Sequence, residues 1–275
     1  MLKKIVYQGV PGSFSEEAAI KYFGAKTERI SVQYFEEVFV EVTEGNGEFG
    51  VLPLANSLTG GVYEVLDLIN VYNLYIVGEV YLPIKHHLLG IPGASIEQIT
   101  EVYSHPQGFQ QCSRFLTSFS QWMKIPYFNT AISAQYIKEQ ASPNKACIAS
   151  ERAAEIYGLQ VLKPSIQNNN HNYTRFIIIG KEILESDNND KVSIVYSLPH
   201  KAGSLFQSLS IFSVHDLNLL RLESRPIPDR PWEFYFYVDF TGNLLADRTR
   251  FALELLKEKT TYFKLLGCYK SAAID

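Results

Sequence analysis

Ile5-Val6-Tyr7-Gln8-Gly9-Val10-Pro11-Gly12-Ser13-Phe14-Ser15-Glu16 reads as a short β-strand, a glycine-bearing turn and the first turn of a helix. Ser13 and Glu16 stand at capping-box spacing, Ala18, Ala19 and Tyr22 follow, and Gly24 is placed to end the helix. The same unit returns along the chain. Residues 49–54 lead through Asn56-Ser57-Leu58-Thr59-Gly60-Gly61 to a helix with Val62, Leu66 and Ile69 on one face. Residues 99–103 lead through Ser104-His105-Pro106-Gln107 to a helix aligning Phe109, Cys112, Leu116 and Phe119, with Pro106 suited to its first position. Residues 125–128 precede Asn129-Thr130 and residues 145–149 precede Ser150, so two more helices open on good N-caps. Gly158 would close the last.

Strands alternating with helices predict an α/β domain with a largely parallel sheet, whose ligands bind beyond the carboxyl ends of the strands. The polar turns all fall there. Several helix N-termini facing one cleft would favour an anion, because their free N–H groups carry partial positive charge. For any one turn, helix capping is a sufficient explanation; only the joint pattern argues for a site.

A different pattern follows the polar stretch Glu185-Ser186-Asp187-Asn188-Asn189-Asp190-Lys191, which reads as a linker. Beyond it the elements run strand (192–198), helix (203–214), strand (217–224), strand (232–240), helix (244–258) and strand (262–269). That βαββαβ order is ferredoxin-like. Trp232, Phe234, Phe236 and Val238 alternate with Glu233, Tyr235, Tyr237 and Asp239, predicting one buried sheet face and one partly wet. The boundaries drawn are a first unit over 1–184 and a second over 192–270, consistent with 275 residues as two domains.

Composition narrows the function classes. Hydrophobic residues at 46% and charged residues at 20% are ordinary for a soluble globular chain. A net charge of −4 supplies no broad positive field, so neither nucleic acid nor a membrane is an expected partner. No apolar run approaches the ~20 residues that span a bilayer. Cys112, Cys147 and Cys268 lack CxxC spacing, which gives no zinc or disulfide signature and fits a reducing cytoplasm. Gly9-x-x-Gly12-Ser13 lacks the lysine of a P-loop and the third glycine of a dinucleotide fingerprint. His86-His87 has no accompanying ligands and reads as packed histidines. No GxSxG elbow occurs. Asn172-Tyr173-Thr174-Arg175-Phe176 puts a hydroxyl and a guanidinium at the start of an apolar strand, where polar groups need a reason. Residue chemistry alone leaves open whether that reason is a site or a solvated strand entry.

These segments together resemble prephenate dehydratase, in its form with a C-terminal ACT regulatory domain. The resemblance is carried in order by Gly9-Val10-Pro11-Gly12-Ser13-Phe14-Ser15, Asn56-Ser57-x-x-Gly60, Ile84-Lys85-His86-His87-Leu88, Ser104-His105-Pro106-Gln107, Asn129-Thr130-Ala131, Ala149-Ser150 and Asn172-Tyr173-Thr174-Arg175-Phe176. In the second unit it rests on His200-Lys201-Ala202-Gly203-Ser204-Leu205 and Leu222-Glu223-Ser224-Arg225-Pro226. It extends over nearly the full chain, with no chorismate mutase segment expected before it.

The resemblance implies a two-lobed catalytic domain similar to type II periplasmic binding proteins, followed by an α+β ACT domain. It implies conversion of prephenate to phenylpyruvate with loss of water and carbon dioxide, without cofactor or metal. Thr174 is the catalytic candidate. Asn56, Ser57, Ser104, His105, Gln107, Thr130, Asn172, Arg175 and Phe176 are the substrate-binding candidates, with Arg175 expected to meet a substrate carboxylate. Gly203, Leu205, Glu223 and Ser224 are implied to bind L-phenylalanine as a feedback inhibitor in a cytoplasmic homodimer or homotetramer. Two departures stand out: Ala55 and Asn168 occupy positions where the family usually has Glu and Asp. They keep two other readings open, an arogenate or cyclohexadienyl dehydratase and a non-catalytic amino-acid sensor.

Overall fold

In β1 (Lys4–Gln8), Ile5 and Tyr7 point to one side and Val6 to the other, as strand geometry requires, and all three are buried. The reason is a central place: β1 lies parallel to both β2 (Glu28–Val32) and β3 (Phe49–Asn56). Ile5 and Tyr7 pack with Ala18 and Ala19 of α1 (Phe14–Phe23), while Val6 packs with Val38, Phe39 and Val42 of α2 (Phe35–Glu44). In this computed structural model, which describes residues 2–274, the expected alternation of strands and helices is present. The sheet continues antiparallel through β11 (Tyr173–Gly180) to β5 (Tyr75–Pro83). A two-residue strand β4 (Gly60–Gly61) folds back on the end of β3.

The second lobe is a separate five-stranded sheet in the order β10-β6-β9-β7-β8, made of β6 (His87–Gly90), β7 (Glu101–Ser104), β8 (Met123–Pro126), β9 (Lys145–Ala149) and β10 (Gln160–Lys163). The chain enters it through 84–86 and returns through 164–172. Its helices are α4 (Pro106–Gln111), α5 (Ser113–Thr117), α6 (Thr130–Gln140) and α7 (Glu151–Tyr157). The single helix expected after Ser104 is thus two short ones, separated where Cys112 leaves helical geometry at φ −113° and ψ 16°. Gly158 closes α7 in the left-handed conformation, as its position suggested.

The C-terminal unit runs β12 (Lys191–Ser197), α8 (Ser204–Val214), β13 (Leu219–Pro226), β14 (Phe234–Thr241), α9 (Asp247–Lys259) and β15 (Tyr262–Tyr269). Its strands stand in the order β13-β14-β12-β15, the ferredoxin-like arrangement. Its sheet is fused to the first one. β15 lies parallel beside β5, meeting it at Gly267 and Ile76. A Cβ on Gly267 would stand 2.1 Å from the Ile76 carbonyl oxygen, so this approach requires glycine.

Two expectations change here. The partly wet face of β14 is dry at Tyr237 and Asp239, because the first unit covers it. Val195, Tyr237, Leu266 and Tyr269 share one apolar cluster with Leu54, Leu66 and Ile69, and the Tyr237 hydroxyl donates to the Leu66 carbonyl at 2.9 Å. The polar stretch after β11 is a tethered loop rather than a free linker. Asn243 Nδ2 donates to the Ser186 and Asn189 carbonyls at 2.8 and 2.9 Å, and Lys191 is buried in an ion pair. Among the described residues, no helix is long and apolar enough to cross a membrane.

Candidate active site

β3 ends at Asn56 just where β11 departs antiparallel beside it, pairing Asn56 with Thr174 and Ala55 with Arg175. Side chains paired across antiparallel strands share a face, and neighbours along a strand point to opposite faces. Thr174 and Asn56 therefore sit together at the carboxyl edge of β3, where an α/β sheet places its ligands. Asn56 Nδ2 donates to Thr174 Oγ1 at 2.9 Å and to Asn172 Oδ1 at 2.7 Å. Asn56 Oδ1 accepts from the backbone N–H groups of Leu58 and Thr59 at 3.0 and 3.2 Å. That turn fixes which end of the amide faces the threonine. With its oxygen already accepting, Thr174 keeps its own proton for another partner. Asn172 is buried and its Nδ2 has no hydrogen-bond partner among the described residues, which leaves a second unspent donor close by.

Around this pair the loops converge. Ser57 is exposed; its Oγ accepts from the Tyr173 N–H at 3.0 Å and donates to the His171 carbonyl at 3.4 Å. Gln107 reaches across from the second lobe, Nε2 donating to Thr59 Oγ1 at 3.0 Å. His105 caps α4 by accepting the Gln107 N–H on Nδ1 at 3.2 Å, so its proton sits on Nε2, and burial lowers its pKa. Ser104 is fully buried and donates to the Ile148 carbonyl at 3.1 Å. Thr130 opens α6, and Gly108 lies between it and Ser104: a Cβ there would stand 2.5 Å from Ser104 Oγ and 3.6 Å from Thr130 Cγ2.

Two candidates lie elsewhere. Arg175 does not share the face of Thr174; strand alternation turns it towards the C-terminal unit. Its Nε donates to Glu79 Oε2 and its Nη2 to the Tyr269 hydroxyl, each at 2.6 Å, and its Nη1 pairs with Asp239. Burial opposes the charge of both Arg175 and Asp239, yet each holds the other ionised, the arginine pKa raised and the aspartate lowered. The expectation that Arg175 meets a substrate carboxylate is therefore corrected. Phe176 returns to the side of Thr174 but is buried in the core with Ile5, Tyr7, Val80 and Ile178, beneath the cleft rather than lining it.

The two departures also find their places. Ala55 faces with Arg175, away from Thr174, so a carboxylate there would not reach the threonine side. Asn168 Oδ1 accepts from the Arg114 N–H at 2.9 Å, and its Nδ2 donates to the Gln110 carbonyl and Ser113 Oγ at 3.1 and 2.9 Å. It ties the return crossover to α4 and α5. Of the effector candidates, Gly203 and Leu205 begin α8, while Glu223 and Ser224 lie on the edge strand β13.

Thr59, Glu79, Lys191 and Asp239 were not anticipated. A signal existed for the acids: Glu79 and Asp239 are single charges inside the apolar runs Tyr75–Pro83 and Phe234–Thr241, and a charge in such a strand needs a partner.

Against known proteins, the family model described as prephenate dehydratase matches residues 5–184. The chain belongs to the prephenate dehydratase family. It is a lyase accordingly. The arogenate dehydratase/prephenate dehydratase 1 of Arabidopsis thaliana, a chloroplast protein, is 37% identical over 97% of this chain and 71% of its own length. The structure of prephenate dehydratase from Arthrobacter aurescens in complex with L-Phe superposes with a TM-score of 0.89 at 28% identity, covering 97% of this chain and 90% of that one. A structure described as GqqA, a novel type of quorum quenching acylase, gives the same TM-score of 0.89 at 26% identity, covering 98% of both chains. Prephenate dehydratase structures thus share the two-sheet α/β architecture found here.

Proposed function

We propose that this cleft converts prephenate to phenylpyruvate, carbon dioxide and water, with Thr174 donating a hydrogen bond to the departing ring hydroxyl. The ring carboxylate leaves as carbon dioxide, its bonding pair enters the ring, and the C–O bond breaks as the hydroxyl takes a proton and departs as water. Aromatisation drives the step. A threonine is too weak an acid to be the net proton source at neutral pH, so Thr174 stabilises or relays a proton drawn from solvent. The observation that carries this reading is the Asn56–Thr174 hydrogen bond, which leaves the threonine proton free. With Arg175 facing away, the negative charge of the substrate falls to neutral donors: Gln107, Thr130, the unspent Asn172 N–H and the N-termini of the flanking helices.

The C-terminal unit is read as an ACT domain that binds L-phenylalanine near Gly203, Leu205, Glu223 and Ser224 in a cytoplasmic dimer or tetramer and favours a less active state. The relative solved with L-Phe supports it. The Arabidopsis relative, whose name joins both activities, favours arogenate as a second substrate to compare. An acylase reading has less support, because the exposed Ser57 hydroxyl is engaged with the backbone of Tyr173 and His171 rather than with a general base.

The deciding experiment follows phenylpyruvate from prephenate, and phenylalanine from arogenate, with and without added L-phenylalanine. Thr174→Ala should lose about 10² to 10⁴ in turnover, while Thr174→Ser keeps much of it. No product from folded wild-type protein with either substrate would defeat the reading.

A further inference from the structure

We infer that Arg175 is a positioning residue for Thr174, and that Asp239 of the C-terminal unit completes its grip, making the βαββαβ unit part of the catalytic geometry. This rests on the reading of Thr174 given above.

The backbone immediately behind Thr174 is irregular. Pairing between β3 and β11 slips between Arg175, opposite Ala55, and Phe176, opposite Pro53, so Leu54 is an extra residue on β3. Pro53 also has no N–H to give the ladder. Such bulges loosen local pairing and re-aim the side chains beside them. At this weak point the Arg175 side chain supplies three directed anchors: Glu79 on β5, Asp239 on β14 and Tyr269 on β15.

Each anchor is itself held. Ser193 Oγ donates to Asp239 Oδ1 at 2.5 Å and lies 2.7 Å from the Tyr269 hydroxyl. Glu79 Oε1 accepts from Lys191 Nζ at 2.7 Å and from the Ala272 N–H at 3.1 Å. The first unit contributes Arg175 and Glu79, the C-terminal unit Lys191 and Asp239. One cation and one anion from each side pair crosswise, and the four charges cancel. Buried ion pairs add little stability over apolar packing, but a planar guanidinium fork with fixed partners defines position sharply. A shift of β14 against β11 would pull Arg175, and with it the adjoining Thr174. Misplacing a catalytic group by about 1 Å can cost about 10² in rate.

The test is a double-mutant cycle on the full chain, with kcat and KM measured on whichever of prephenate or arogenate it turns over. Asp239→Asn should lower kcat about 10- to 100-fold and change KM less than about threefold. In a Thr174→Ala background the same change should lower kcat less than about threefold, because the group it positions is gone. A purely structural role for Asp239 would lower the active fraction equally in both backgrounds, and that result overturns the inference. So does an unchanged kcat in Asp239→Asn. Should that protein fail to fold, Ser193→Ala removes one donor from Asp239 and should repeat the pattern with a smaller step, about 3- to 10-fold. A Thr174→Ala protein as fast as wild type shows instead that the underlying reading of Thr174 has failed, and that single variant tells the two failures apart.

Discussion

Asn56 Nδ2 stands 2.9 Å from Thr174 Oγ1, and the Leu58 and Thr59 N–H groups hold the other end of the same amide. The amide cannot turn over without losing both. The direction of the hydrogen bond decides which partner has a proton left to give. Asn56→Asp replaces the donor with an acceptor, so Thr174 would point its proton at residue 56 and away from the substrate. The expected outcome is a fall of about 10² in kcat with the fold intact, read by phenylpyruvate formation beside a thermal melt. A wild-type rate in Asn56→Asp would show that the direction is unimportant.

Arg175→Ala tests a different quantity. It leaves the carboxylates of Glu79 and Asp239 buried with one fewer partner, and breaking such a pair typically costs about 3 to 5 kcal/mol. Urea unfolding of the full chain should show this as a lower midpoint. A midpoint equal to wild type would mean that water reaches this boundary.

The contrast between Thr174 and Arg175 also marks how far the sequence could be read. The capped turns at Ser13, Asn129 and Ser150, the closing Gly158 and the βαββαβ order were all legible, because local chemistry dictates them. Even so, the Ser13–Glu16 box forms only half: Ser13 Oγ accepts the Glu16 N–H, whereas the Glu16 carboxylate accepts the Gly12 N–H at 2.8 Å. The motif around Thr174 was legible as a cluster, but assigning its side chains to one cleft ignored the period of two that turns Arg175 to the far face. Residues joined across long sequence separations could not be paired in advance. Nothing local links Glu79 to Lys191, or Gln107 to Thr59; only the fused sheet and the facing lobes bring them together. The wet face predicted for β14 failed for the same reason, since α3 (Tyr63–Val71) covers Tyr237 and Arg175 of β11 covers Asp239, both from distant parts of the chain.

Stability should respond to pH through groups of opposite sign, Glu17 on one side and His86 on the other. Burial raises the Glu17 carboxyl from 4.5 to about 7, with Arg152 opposing and Glu16 and Glu155 adding to the rise. Its Oε1 is buried and has no hydrogen-bond partner among the described residues. Between those values the native state binds more protons than the unfolded chain, so stability falls as pH rises through about 7. His86 behaves oppositely. Burial lowers it from 6.5 to about 4, against a hydrogen bond from its Nε2 to Gln111, so stability falls as pH drops across that window. Melting temperatures of Glu17→Gln should lose the decline towards about pH 7 and keep the acid limb. Parallel pH curves for wild type and Glu17→Gln would exclude Glu17 as the source.

Gly267→Ala probes the seam where the two sheets become one. The added Cβ would meet the carbonyl oxygen of Ile76 at 2.1 Å and its carbon at 2.9 Å, which are backbone atoms of β5 and cannot swing aside as a side chain could. β15 and β5 must separate, and overpacking of this kind typically costs about 1 to 3 kcal/mol. The consequence should not stop at stability. Tyr269 lies two residues further along β15 and accepts a hydrogen bond from Arg175, so the same displacement reaches the residue adjoining Thr174. Gly267→Ala is therefore expected to lower the urea midpoint and kcat together, and L-phenylalanine should shift its residual activity less than in wild type if the effector acts through this seam. A lower midpoint with unchanged kcat would confine the seam to a scaffolding role and separate the C-terminal unit from catalysis.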